Sequence, residues 1–214
     1  MPNWCSTSYY FCFESEKKAQ EFYDLLNSWF NEVVNSDFGE SWLGNVVLNS
    51  KISQLKTSSD KSFDIEPYYS CRGWVVDSDI CGCEVSIYTE TAWCPMHEMW
   101  EAIRQKYAPD ATVIYYAEEP GCLFYNTNDP EYEDTYIIDI YEDSKGILSG
   151  LYSLHSGNKE DVFDIASRLN IATENRSIED ILDDINRCDT EDGASVIVNA
   201  WTYKDCFGVA ERAS

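Results

Sequence analysis

The chain has 214 residues, 44% of them hydrophobic and 14% aromatic, enough to fill a packed core. Its 39 acidic and 15 basic residues give a net charge of −24, a field that repels phosphate backbones and so excludes ordinary nucleic-acid binding. No run of about 18 apolar residues is present, so no membrane helix is expected. The nine cysteines are an odd number, and the N-terminus lacks a basic region followed by an apolar stretch; a reducing cytoplasm with free thiols is expected.

Asn3 to Phe13 alternates as a strand, with Cys5, Thr7, Tyr9, Phe11 and Phe13 on one side. Ser15 caps a helix whose Phe22, Leu25, Leu26, Trp29, Phe30 and Val33 recur at helical spacing. Residues 36–70 are polar, with a short apolar piece at Val46-Val47-Leu48, and read as an insertion with weak structure. Arg72 to Ile80 and Glu84 to Thr91 form two strands joined by a Cys81-Gly82-Cys83 turn. Pro95 opens a helix with Cys94 at its cap and Met96, Met99, Trp100 and Ile103 inward. Thr112 to Ala117 and Cys122 to Asn126 are strands. The order β-α-β-β-α-β predicts an α+β chain: a ferredoxin-like antiparallel sheet over residues 1–126, with the insertion at about 36–70.

Residues 127–214 form an acidic α/β extension. It has a strand at Thr135 to Tyr141, a helix at 159–169, and a helix capped by Ser177 with Ile178, Ile181, Leu182 and Ile185 inward. A strand from Ser195 to Tyr203 closes it.

Several constellations suggest chemistry. Cys81, Cys83, Cys94 and His97 are zinc-ligand types, but a strand of eight residues would hold the two pairs roughly 26 Å apart, so no metal site is expected. Cys94, at a helix N-terminus and near His97, is a candidate reactive thiol. Asp77-x-Asp79-x-x-Gly82 starts like a calcium loop, but Tyr88 stands at the twelfth position. Gly39 to Gly44 is not a nucleophile elbow, and His155 sits in a polar loop. Asp139, Glu142 and Asp143, with Lys145, are the carboxylates that a metal-dependent nuclease would use. No cofactor motif is present.

Two segments point to a family. Met1-Pro2-Asn3-Trp4-Cys5 and Thr91-Ala92-Trp93-Cys94-Pro95 resemble the YubB-like proteins of phages and plasmids, which open with M-P-N-W-C and carry T-x-W-S-P-P before a helix. Cys94 stands where the family has Ser, and Met96 where it has the second Pro. Gly121 to Phe124 resembles the strand turn that follows. The resemblance covers residues 1–126. It implies the ferredoxin-like fold and residence on a mobile element in a bacterium, and it carries no established activity or catalytic residue.

Residues 118–192 hold 20 acidic and five basic side chains, a net of −15, against −9 for residues 1–117. Glu131, Glu133 and Asp134, and on the last helix Glu179, Asp180, Asp183 and Asp184, are the candidate partner-binding residues. Their spacings of about 5–7 Å are comparable to those between phosphates on a DNA strand. The expected function is that of a non-enzymatic accessory protein that binds a basic or nucleic-acid-handling host protein, in its strongest form as a DNA mimic. The alternatives are a binding module using an aromatic sheet face, formed by Tyr10, Tyr88, Tyr116 and Tyr125, or a metal-dependent enzyme.

Overall fold

The computed structural model describes residues 3–57, 63–66, 69, 71–141, 146–148, 156–188 and 195–207; the side chains of 54–57, 63–66 and 141 are outside the description. The chain is α+β and divides into two compact units, one running to Asp129 and resumed from Lys204, the other Pro130–Tyr203. Among the described residues no helix is long and apolar enough to cross a membrane.

The first unit is built on β1 (Trp4–Cys12), whose strict alternation buries Cys5, Thr7, Tyr9 and Phe11 and leaves the intervening residues half-exposed. It is flanked antiparallel by β5 (Glu84–Ala92) and β6 (Thr112–Glu119). Outside these lie β4 (Gly73–Cys81), paired with β5, and β7 (Phe124–Thr127), paired with β6. The order is β7-β6-β1-β5-β4, every neighbour antiparallel.

Two helices cover the buried face. In α1 (Glu16–Asn31) the Ser15 hydroxyl accepts the Lys18 N–H at 3.5 Å, and Phe22, Leu26 and Trp29 face the sheet. Val33 lies beyond the helix end and is exposed. α3 (His97–Tyr107) buries Met99, Trp100 and Ile103. Phe11 meets Phe22 at 5.0 Å and Trp100 at 6.2 Å between ring centres, so both helices pack on the same side. Gly82, at φ +59, makes the tight turn between β4 and β5 that glycine accommodates without strain.

The 36–70 segment differs from expectation. It holds α2 (Leu43–Asn49), whose Leu43, Val46 and Val47 are buried in the main core, and a short hairpin of β2 (Gln54–Thr57) and β3 (Phe63–Glu66). Buried Asn45 organises the preceding loop: its Oδ1 accepts the Asn35 N–H at 2.8 Å, and its Nδ2 is 3.2–3.3 Å from the carbonyls of Asn35, Gly39 and Glu40. One amide thus satisfies backbone groups that the polar loop would otherwise leave open.

The second unit has its own core. β8 (Tyr136–Tyr141) is central, between β10 (Ser195–Ala200) and the two-residue β9 (Ser156–Gly157). α4 (Lys159–Arg168) starts at a capping box formed by Asn158 and Asp161, and α5 (Ile178–Asn186) at Ser177, whose hydroxyl accepts the Asp180 N–H. Val162, Ile165, Ile181, Leu182 and Ile185 meet Ile138, Val196 and Val198. The Asn186 amide clasps both the N–H and C=O of Val198, at 2.7 and 2.9 Å, and so joins α5 to β10.

Candidate functional site

The face of the first sheet opposite α1 and α3 is lined by the outward residues of each strand. Register places Ser8, Tyr10, Ser86, Tyr88 and Tyr116 on it, with Trp4 and Trp74 at one end, 5.2 Å apart between ring centres. Tyr10 and Tyr116 meet edge to face at 5.9 Å, and the Tyr116 hydroxyl donates to Asp129 at 2.6 Å. Tyr125 shares this face through its pairing with Glu118 but is 3% exposed, so three of the four expected tyrosines, Tyr10, Tyr88 and Tyr116, are half-exposed there.

A bulge in β4 decides what else this face carries. Val75 pairs with Thr89, yet Asp77 pairs with Tyr88; Val76 is the extra residue and is exposed. Without the offset, Asp77 and Asp79 would follow Val75 onto the buried side. With it, Asp77 lies across from Tyr88 and Asp79 across from Ser86, both on the aromatic face. Glu84 and Glu90 share that face. No lysine or arginine occurs in β1, β4, β5, β6 or β7. The sheet surface therefore combines aromatic rings with carboxylates that no cation of its own strands compensates, a combination that repels nucleic acid and favours organic cations. The sequence signal was the Asp77-x-Asp79 pair, which forms part of a strand rather than a calcium loop.

The acidic residues expected to bind a partner lie in the second unit. Glu179, Asp180, Asp183 and Asp184 are exposed on α5, opposite Ile181, Leu182 and Ile185. Arg176 reaches Asp184 at 2.6 Å and Arg187 reaches Asp183 at 3.0 Å, so two of the four carry an internal counter-charge. Glu131 and Glu133 are exposed but not in an extended row: Pro130–Tyr132 is a 3-10 turn, as a proline at its first position favours, and Asp134 follows at φ +60.

The three segments that carried the family resemblance meet at one end of the sheet. Trp4 pairs with Ala92, the Trp93 N–H donates to the Asn3 carbonyl at 3.0 Å, and Asn3 Nδ2 lies 3.6 Å from Cys122 Sγ. Buried Glu119 accepts the Gly121 N–H through Oε1 at 3.2 Å. A methyl on Gly121 would come within 2.6 Å of Asn3 Nδ2 and 3.0 Å of Glu119 Oε1, so a side chain there would displace these two groups.

Beside this junction a cavity of about 520 Å³ is lined by Arg72, Thr91, Cys94, His97, Glu98 and Lys204, among others. Cys94 is exposed, but it is not the helix cap. The cap of α3 is Met96, at φ −102, and makes no side-chain bond; the Thr91 hydroxyl instead donates to the Cys94 carbonyl at 2.8 Å and holds the loop before the helix. His97 Nδ1 and the Tyr9 hydroxyl share a 3.3 Å hydrogen bond, while Nε2 is buried without a partner among the described residues. Burial, with help from the Lys204 charge, holds the imidazole near pKa 3. So weak a base does not take a proton from a thiol at neutral pH, and a Cys94–His97 nucleophile is not supported.

The remaining chemistry-bearing residues do not converge among the described residues. β5 separates Cys81 and Cys83 from Cys94 and His97 by its whole length. Among the described residues no three His, Cys, Asp or Glu side chains are grouped to hold a metal ion. Burial raises the Cys5 thiol to about 11 and the Cys71 thiol to about 12, which makes both poor nucleophiles. Asp139 is on β8; Glu142, Asp143, Lys145 and His155 lie outside the described residues. Comparison of the chain with family models, with curated proteins and with solved structures gives no match.

Proposed function

We propose that the protein is a non-enzymatic, acidic binding protein whose partner is a basic, nucleic-acid-handling protein of a bacterial host cell. The observation that carries this reading is the open sheet face, which offers rings and carboxylates and no cation among the residues of its strands. The −24 net charge adds long-range attraction for a basic surface. The YubB-like resemblance supplies the phage or plasmid setting, in which inhibiting a host defence enzyme is a function such a surface would serve. A ferredoxin-like reading of the first unit is supported by the element order β1, α1, β4, β5, α3, β6 and the sheet order β6-β1-β5-β4, with α2 and the β2–β3 hairpin inserted after α1. Mimicry of a phosphate row by α5 is the weaker form of the reading, because two of its carboxylates are internally paired.

The test is capture by the tagged full chain from bacterial lysate at about 50 and about 500 mM salt, between which the screening length falls from about 14 to about 4 Å. A nucleic-acid-handling protein recovered at the lower salt and lost at the higher is the expected result. Capture that is indifferent to salt, or of no such protein, contradicts the reading.

A further inference from the structure

The open sheet face contains a depression of about 190 Å³, lined by Ser8, Tyr10, Asp77, Asp79, Ser86 and Tyr88, with Ser78 and Ile87 completing it. Its composition is selective. Two tyrosine rings contribute to its walls, and two exposed carboxylates enter it because the Val76 bulge turns them to that side. Asp77 accepts the neighbouring Ser78 N–H at 2.9 Å through Oδ1 alone. Neither aspartate is paired with a cation among the described residues. The volume suits one long side chain and is too small for a stacked base with its sugar and phosphate, which the carboxylates would also repel.

We infer that this depression receives an arginine side chain of the basic partner. A guanidinium is planar and weakly hydrated. It stacks on tyrosine rings while its N–H groups fork onto carboxylates, so it uses both features of the pocket at once. A lysine ammonium is a strongly hydrated point charge that uses the carboxylates but gains little from two ring faces. The inference rests on the acidic-binding reading and gives it an address: the partner is recognised by an exposed arginine at the β4 bulge, with the rest of the acidic surface supplying attraction at a distance.

The experiment is a fluorescence-anisotropy titration of the full chain with a labelled nine-residue peptide of alternating arginine and serine, and with the same peptide carrying lysine for arginine. The arginine peptide should bind at least about tenfold more tightly than the lysine peptide. The double variant D77N/D79N, which keeps side-chain size, should lose about tenfold or more of that affinity. Tyr88→Ala should lose about two- to fivefold, and Tyr88→Phe, which keeps the ring, should bind as wild type. The α5 variant E179Q/D180N/D183N/D184N, none of whose carboxylates lines the depression and two of which carry internal counter-charges, should lose much less affinity than D77N/D79N at about 150 mM salt. Equal affinity for the two peptides, or a loss in the α5 variant as large as that in D77N/D79N, would overturn the pocket and leave diffuse charge as the cause. In the lysate experiment, capture of a basic partner by D77N/D79N as efficient as by wild type also overturns the pocket while the broader reading stands. The predicted peptide selectivity with no basic protein captured overturns the broader reading alone.

Discussion

Trp100→Ala is expected to remove about 3–5 kcal/mol of stability, the range for emptying a large aromatic site in a well-packed core. Trp100 has no exposed surface and lies where α3 meets β1, with its ring 5.6 Å from that of Tyr9 and 6.2 Å from that of Phe11. Its loss opens a cavity between α3 and β1, which cannot close without moving a helix or strand backbone. Small domains have only about 5–15 kcal/mol in total, so the variant should unfold at far lower urea or fail to accumulate. Trp100→Phe is the informative companion. The indole Nε1 is buried with no hydrogen-bond partner among the described residues, so phenylalanine removes a polar group that gains no such bond while keeping most of the ring. Urea unfolding followed by circular dichroism should show Trp100→Phe losing less than half of what Trp100→Ala loses; equal losses would mean that the indole edge itself is essential.

Acid should weaken the protein through His97. In the unfolded chain this histidine takes up a proton near pH 6.5; in the fold, burial first and the Lys204 charge second hold it near 3. Between these values the unfolded state binds more protons, so stability rises with pH there and is lost as pH falls from 6.5 toward 3. The slope from this one group is at most about 1.4 kcal/mol per pH unit. Above pH 6.5 the group is neutral in both states and contributes no slope. His97→Phe removes the titration but retains an aromatic ring against Tyr115, 4.0 Å away between ring centres, and Phe207. The stability difference between wild type and His97→Phe should therefore be constant from pH 8 to about 6.5 and shift steadily in favour of the variant below that. A difference that stays level down to pH 4 would mean that His97 is protonated in the fold.

The parts of this structure that were legible in the sequence are those governed by local rules. The alternation of β1, the stripe Phe22, Leu26, Trp29, and the capping hydroxyls of Ser15 and Ser177 each follow from residues close in the chain. The helix over 43–49 was not legible, because seven residues are too few to show a period and no capping side chain marks the start at Trp42. Pro130 is the mark of the 3-10 turn that breaks the Glu131–Glu133 row, whereas the alternation of acidic residues by itself points to an extended stretch. The Arg187–Asp183 pair follows the i,i+4 rule; the Arg176–Asp184 pair, eight residues apart, needs the fold. The pocket depends on a bulge, and Gly73 to Cys81 carries no mark of one. Only the partner strand reveals that Val76 is supernumerary and that Asp77 and Asp79 therefore join Tyr88. Tyr125 shows the same limit from the other side, since its face was readable but its burial was not.

The proposed partner is a basic, nucleic-acid-handling protein, and the proposal extends to competition: the chain would bind the basic surface that holds the nucleic acid. The most direct measurement is competition: the captured partner is loaded with a labelled DNA duplex, and the full chain is added at increasing concentration while duplex anisotropy is followed. The account predicts that the duplex is released as the chain binds, and that D77N/D79N requires about tenfold more protein to release it. A ternary complex in which chain and duplex sit on the partner together would contradict it.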